Sequence, residues 1–158
     1  MKKEFKKGLI IAVIIVVFIS IADILAAHSG VFGSYEDYTA GNFNAGWWNL
    51  FYNYNVIVIF LATLFYYFFV RKDISESLGI FLTAYSLWFW GMADALYFLL
   101  QGKMIPETLV WLNGHPIMGR IANTLGSTDV TRLSLLISIA LSLVVVYFMD
   151  KFLEKQKW

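Results

Sequence analysis

The sequence predicts an all-α integral membrane protein with four transmembrane helices, arranged as two tandem helical hairpins. Three observations carry this. The 158 residues are 59% hydrophobic, with a mean hydropathy of +0.67. A soluble domain of that size cannot hide so much apolar surface, and a bilayer is the better solvent for it. Four apolar stretches are near the roughly 20 residues a helix needs to cross hydrocarbon. A short motif, Ala22-Asp23-Ile24-Leu25, returns as Ala93-Asp94-Ala95-Leu96.

The first span is predicted from Gly8 to Ala27, the second from Phe51 to Val70, the third from Leu78 to Leu100 and the fourth from Leu133 to Met149. Lys2, Lys3, Lys6 and Lys7 precede the first span, Arg71 and Lys72 separate the second from the third, and Lys151, Lys155 and Lys157 follow the fourth. These are nine of the twelve basic residues; only Lys103, Arg120 and Arg132 fall on the other side. The positive-inside rule therefore makes both termini cytoplasmic, in a cell-membrane protein whose two longer loops, 28–50 and 101–132, face outward.

The start of the chain also has the look of a secretory signal, with basic residues, an apolar run and Leu25-Ala26-Ala27 at a cleavage position. The length of the run and Asp23 inside it favour a retained span instead. In the loops, Trp47, Trp48, Phe51, Tyr52 and Tyr54 suit the headgroup level. Phe65, Tyr66, Tyr67, Phe68 and Phe69 read as lipid-facing and interfacial. Pro106 to Leu112 reads as a short interfacial helix, with proline in its first turn, Glu107 at its positive dipole end and Gly114 beyond it.

The recurrence extends beyond the tetrapeptide. At an offset of 71, Gly8 meets Gly79, Asp23 meets Asp94, Glu36 meets Glu107 and Asn42 meets Asn113. Each half thus reads D-x12-E-x5-N. This predicts one membrane domain over 1–158, with an internal parallel repeat of 1–75 and 76–155 about an axis along the membrane normal. Each aspartate follows its glycine by 15 residues. It therefore stands roughly 22 Å above it, in the outer part of the bilayer. Asp23 shares a helix face with Ala12, Val16, Ser20 and Ala27, and Asp94 with Thr83, Leu87, Trp90 and Gly91; small residues on such faces let helices approach closely. Ser134, Ser138 and Ser142 form a stripe at i, i+4, i+8 on the fourth span, placed to bond a neighbouring helix or a buried acid.

A carboxylate in hydrocarbon is expensive, so Asp23 and Asp94 are the leading candidates for function. Glu107, Glu36, Asn113 and Asn42 join them from the outer loops. The only histidines, His28 and His115, lie on the same side. Carboxylates with imidazole can hold a divalent metal, bind a polar ligand, or move protons at a headgroup. The competing reading is structural: a helix-end aspartate can satisfy loop N–H groups or lock two hairpins together. His28, five residues after Asp23, shares its helix face poorly. His115 lies in the constrained turn Asn113-Gly114-His115-Pro116 and is the stronger of the two.

Absent motifs narrow the function. With no cysteine there is no iron–sulfur cluster, disulfide or thiol nucleophile. A net charge of +1 offers no nucleic-acid surface. HExxH, a phosphate-binding glycine loop and Gly-x-Ser-x-Gly are missing. The second half, with Asp94, Gly102, Glu107 and then Asn113 before Pro116, resembles small uncharacterised archaeal and bacterial multi-span membrane proteins. In those an intramembrane Asp precedes a G…E…N…P loop. Here Glu107 and Asn113 stand further apart than in that pattern, and His115 intervenes before the proline. The resemblance implies a membrane fold with an acidic outer loop. Four functions stay open: an outer-leaflet acidic site for a cation or polar ligand; an accessory subunit of a homo-oligomer or larger membrane complex; a membrane-embedded metal-dependent hydrolase or reductase acting on lipid; and a transporter that dimerises to enclose a path.

Overall fold

The computed structural model describes residues 3–28 and 45–155. The elements are α1 (Lys3–His28), α2 (Ala45–Tyr66) continued by a π-helical turn (Tyr67–Arg71), α3 (Ile74–Phe89), α4 (Met92–Leu99), a 3-10 turn (Val110–Leu112), α5 (Met118–Thr124) and α6 (Arg132–Lys155). The described residues contain no strand beyond one isolated antiparallel bridge between Thr108 and Thr131.

Among the described residues, three helices are long and apolar enough to cross a membrane: Lys7–Ala26, Asn53–Arg71 and Arg132–Leu153. They overlap the first, second and fourth predicted spans. Their apolar residues divide between a packed face and an open one. On α1, Ala12, Ile15, Val16, Ile19 and Ser20 are buried, while Ile10, Ile14, Phe18, Ile21 and Leu25 are exposed. A helix apolar all round, with only one face packed, is what a lipid-facing span requires. On α2 the buried stripe is Asn55, Ile59, Thr63 and Tyr66, and Phe65, Phe68 and Phe69 point outward. Tyr66 departs from the lipid-facing expectation: its hydroxyl donates to Glu76 Oε1 at 2.6 Å, tying α2 to the first turn of α3. Asp73 caps that turn by accepting from the Glu76 amide at 2.9 Å.

The third predicted span, Leu78 to Leu100, is not one helix. It breaks into α3, of 16 residues, and α4, of 8. The break falls at Gly91, whose φ of +93° is the left-handed region that favours glycine. A Cβ there would collide with Leu135 Cδ1 and stand 3.1 Å from the Met118 sulfur. The backbone yields at Gly91 because α6 and α5 press their side chains against it.

α3 is the hub and packs against α1, α2 and α6. α1 lies parallel to α3 and α4. A Cβ on Gly8 would touch Ile80 Cγ1 at 3.8 Å, and the Ser20 hydroxyl reaches the Ala93 carbonyl at 3.4 Å. Those pairs are offset by 72 (80 − 8) and 73 (93 − 20) residues, close to the recurrence of 71.

The loop 101–132, expected on the outer side, is packed rather than open. Leu109 N–H donates to the Val130 carbonyl at 2.7 Å, and Arg132 N–H to the Glu107 carbonyl at 2.9 Å. This pairing holds 107–109 extended, so the helix expected over Pro106–Leu112 shrinks to the 3-10 turn Val110–Leu112. Phe98, Ile105, Leu109, Trp111, Leu112, Met118, Val130 and Leu135 form a core beneath the loop. α6 starts in a reciprocal cap: Thr131 N–H donates to Ser134 Oγ at 2.8 Å, and Ser134 N–H to Thr131 Oγ1 at 3.2 Å.

Candidate functional site

Asp23 continues the buried face of α1 one step beyond Ser20. The Ser20 hydroxyl bonds the Val16 carbonyl at 2.9 Å as well as Ala93 at 3.4 Å. This brings the α1 and α4 backbones together one residue before Asp94 and three before Asp23. The two carboxyls lie close enough to act on each other electrostatically. Asp94 sits in the first turn of α4, where the helix dipole favours negative charge, and accepts from the Trp111 indole N–H at 3.4 Å. Asp23 differs. Its Oδ1 is shielded from solvent and has no hydrogen-bond partner among the described residues. A buried acceptor without a donor is costly, and more so when it carries charge.

Those of the other predicted residues that the structure describes do not join this pair. The Glu107 side chain is exposed, and its backbone carbonyl serves the loop pairing. Asn113 braces the loop: its Nδ2 donates to Asp129 Oδ1 at 2.6 Å and its Oδ1 accepts from Val130 N–H at 2.7 Å. His28 is exposed, with Nδ1 2.8 Å from the Ile24 carbonyl of its own helix. Glu36 and Asn42 lie outside the described residues. Among the described residues, no three His, Asp or Glu side chains come together to hold a metal ion. Ser134, Ser138 and Ser142 are all fully buried, on the helix that packs against α3. Ser134 and Ser142 donate to carbonyls at Thr131 and Ile139, at 2.8 and 2.7 Å, rather than to an acid.

No family model, curated protein or solved structure matches this chain. The site therefore rests on its own geometry.

His115 has a different place from the one its residue type suggested. Its ring centroid is 4.7 Å from that of Phe89, the last residue of α3. Its Nδ1 accepts from the amides of Ile117 and Met118, each at 3.3 Å, at the entry to α5. It also hydrogen-bonds the Phe89 backbone, and burial pushes its pKa below the ordinary 6.5. An accepting Nδ1 leaves the ring proton on Nε2, so the donor to the Phe89 carbonyl is Nε2–H.

Two contributors escape a sequence reading. Trp111 looks like any interfacial tryptophan until the loop folds under and points its N–H at Asp94. Ser20 looks like a small packing residue, and only the nearness of α4 makes it a bridge.

Proposed function

We propose that this is a four-pass membrane protein with an outer-leaflet site, built on Asp23 and Asp94, that binds a cation or polar ligand. α3 and α4 together serve as the third pass, broken at Gly91. The termini are cytoplasmic, and the halves 1–75 and 76–155 are tandem hairpins. Nine of twelve basic residues on one side support the orientation, and the parallel α1/α3–α4 pair at an offset of 72–73 supports the tandem arrangement. The observation that carries the site is the buried, unpartnered Oδ1 of Asp23 beside a second carboxyl. Acceptors without donors call for a positive or donating ligand.

Two carboxyls, one of them already accepting from the Trp111 indole, suit a small monovalent cation, a proton or an ammonium group better than a transition metal, which takes four protein or solvent donors. Nothing among the described residues favours the lipid-hydrolase reading. The competing structural reading, in which the acid pair locks α1 to α4 within an accessory subunit, is favoured by the Ser20–Ala93 bridge at the same level.

One experiment separates the two. The purified protein is titrated with Na⁺, K⁺, Mg²⁺ and Zn²⁺ at constant ionic strength while thermal unfolding is followed, alongside Asp23→Asn and Asp94→Asn. Stabilisation of the wild type by one cation, absent from both variants, supports the site. No cation effect, with both variants less stable than the wild type, supports the lock.

A further inference from the structure

The broken third span has a cap. Three side chains of the second outer loop reach the break and the acid that follows it. Met118, 1% exposed, packs on Gly91; His115 holds Phe89; and Trp111 holds Asp94. Gly119 lets α5 sit tightly beneath Asn113, since a Cβ there would stand 2.8 Å from the Asn113 carbonyl oxygen. Of these contacts, only the one at His115 uses a ring whose hydrogen-bonding role inverts on protonation. Nδ1 is a lone-pair acceptor for two amides while the ring is neutral and becomes an N–H donor when it takes a proton.

We propose that His115 is a pH-sensitive latch, and that its protonation releases α5 and the 113–118 turn from the broken end of α3, uncovering the outer face of the Gly91 break. The proton comes from water and lands on Nδ1. The Ile117 and Met118 amides then lose their acceptor and meet a like-signed N–H. The Nε2–H bond to Phe89 survives protonation, so the failure begins at the α5 side. Burial disfavours the charged ring, so the latch stays closed until the pH is below the ordinary histidine range.

Among the described residues no carboxylate opposes this. Asp129 is engaged by Asn113 and Asp94 by Trp111, while Arg120 on α5 and Glu107 on the loop are exposed. No charged side chain among the described residues pairs with the imidazole. The inference goes beyond the acid-pair reading, because the cap opens whether or not the pair holds a ligand.

The absence of native cysteine makes the test direct. Ala122→Cys places a thiol on the buried face of α5, where Ala122 is 1% exposed, and Leu112→Cys is a second reporter at 2%. Gly114→Cys, with nothing within 4 Å of its Cβ, is the exposed reference that corrects for thiol ionisation. Maleimide labelling rates are measured in detergent from pH 7.5 to pH 5. Losing the one acceptor shared by two amide N–H groups predicts that the reporter-to-reference ratio rises about tenfold as the pH falls. His115→Asn, whose side chain accepts from following amides without titrating, should keep the ratio flat. A pH-independent ratio at both reporters in the wild type overturns the latch, as does an equal rise in His115→Asn.

Discussion

Ser20 and Ala93 are joined by a 3.4 Å hydrogen bond from a fully buried hydroxyl to a main-chain carbonyl, across 73 residues of sequence. It fixes the two acidic helix segments at one depth. Ser20 is fully buried against α4, so Ser20→Leu should destabilise the protein by about 1–3 kcal/mol through overpacking. Ser20→Ala should cost about 1 kcal/mol or less. Thermal or denaturant unfolding in detergent reads both. Equal tolerance of Leu and Ala would mean that α1 and α4 are not in close contact.

Glycines in the same backbone region separate strain from packing. Gly91, Gly102 and Gly126 all have positive φ, but only Gly91 has neighbours within reach of a Cβ. Gly102→Ala and Gly126→Ala should each cost about 1–2 kcal/mol of backbone strain. Gly91→Ala adds collision with Leu135 and Met118, for a total above about 3 kcal/mol. Similar losses at all three sites would show that the break is not pinned by α5 and α6.

Trp111→Phe keeps an aromatic side chain but removes the indole N–H that donates to Asp94, along with some buried volume. The expected loss is about 1–3 kcal/mol, the range for a hydrogen bond to a carboxylate. Asp94→Asn in the Trp111→Phe background should cost less than in the wild type, because the two substitutions remove one interaction. Strict additivity would deny the contact.

The half-buried, neutral His115 makes stability depend on pH in a definite direction. Its folded pKa is lowered from 6.5, so the unfolded chain binds the proton more readily. The contribution is fully present above about pH 6.5 and declines as the pH falls through and below that value towards the folded pKa. His115→Asn should flatten this part of the profile. A wild-type profile that is level from pH 7.5 to pH 5 once His115→Asn has been subtracted contradicts the assignment.

Much of this arrangement is legible in the sequence where local rules govern it. The packed face of α1 follows from small and polar residues at helical spacing, since Ala12, Val16 and Ser20 lie on it. That the Asp23 and Asp94 segments lie side by side follows from the recurrence at an offset of 71, since Ser20 meets Ala93 three residues before one acid and one before the other. Features set by distant partners are hidden. Gly91 sits in an unbroken apolar run, and the reason it bends the chain lies in Met118 and Leu135. Glu107 sits where a helix dipole would welcome it, yet residues 107–109 are drawn into pairing with 130–132. His115 stands out by residue type, but its contacts with Phe89 and the Ile117 and Met118 amides are set by the packing of the loop on α3. Asn113 is legible as a special loop residue, but its partners Asp129 and Val130 are 16 and 17 positions away.

The central claim is that Asp23 and Asp94 act as one site. A double-mutant cycle on cation-dependent stabilisation tests it most directly, using Asp23→Asn, Asp94→Asn and the pair together. The account predicts that either substitution alone removes the cation effect and that the double variant removes nothing more. Retained stabilisation in either single variant, or losses that simply add, would contradict it.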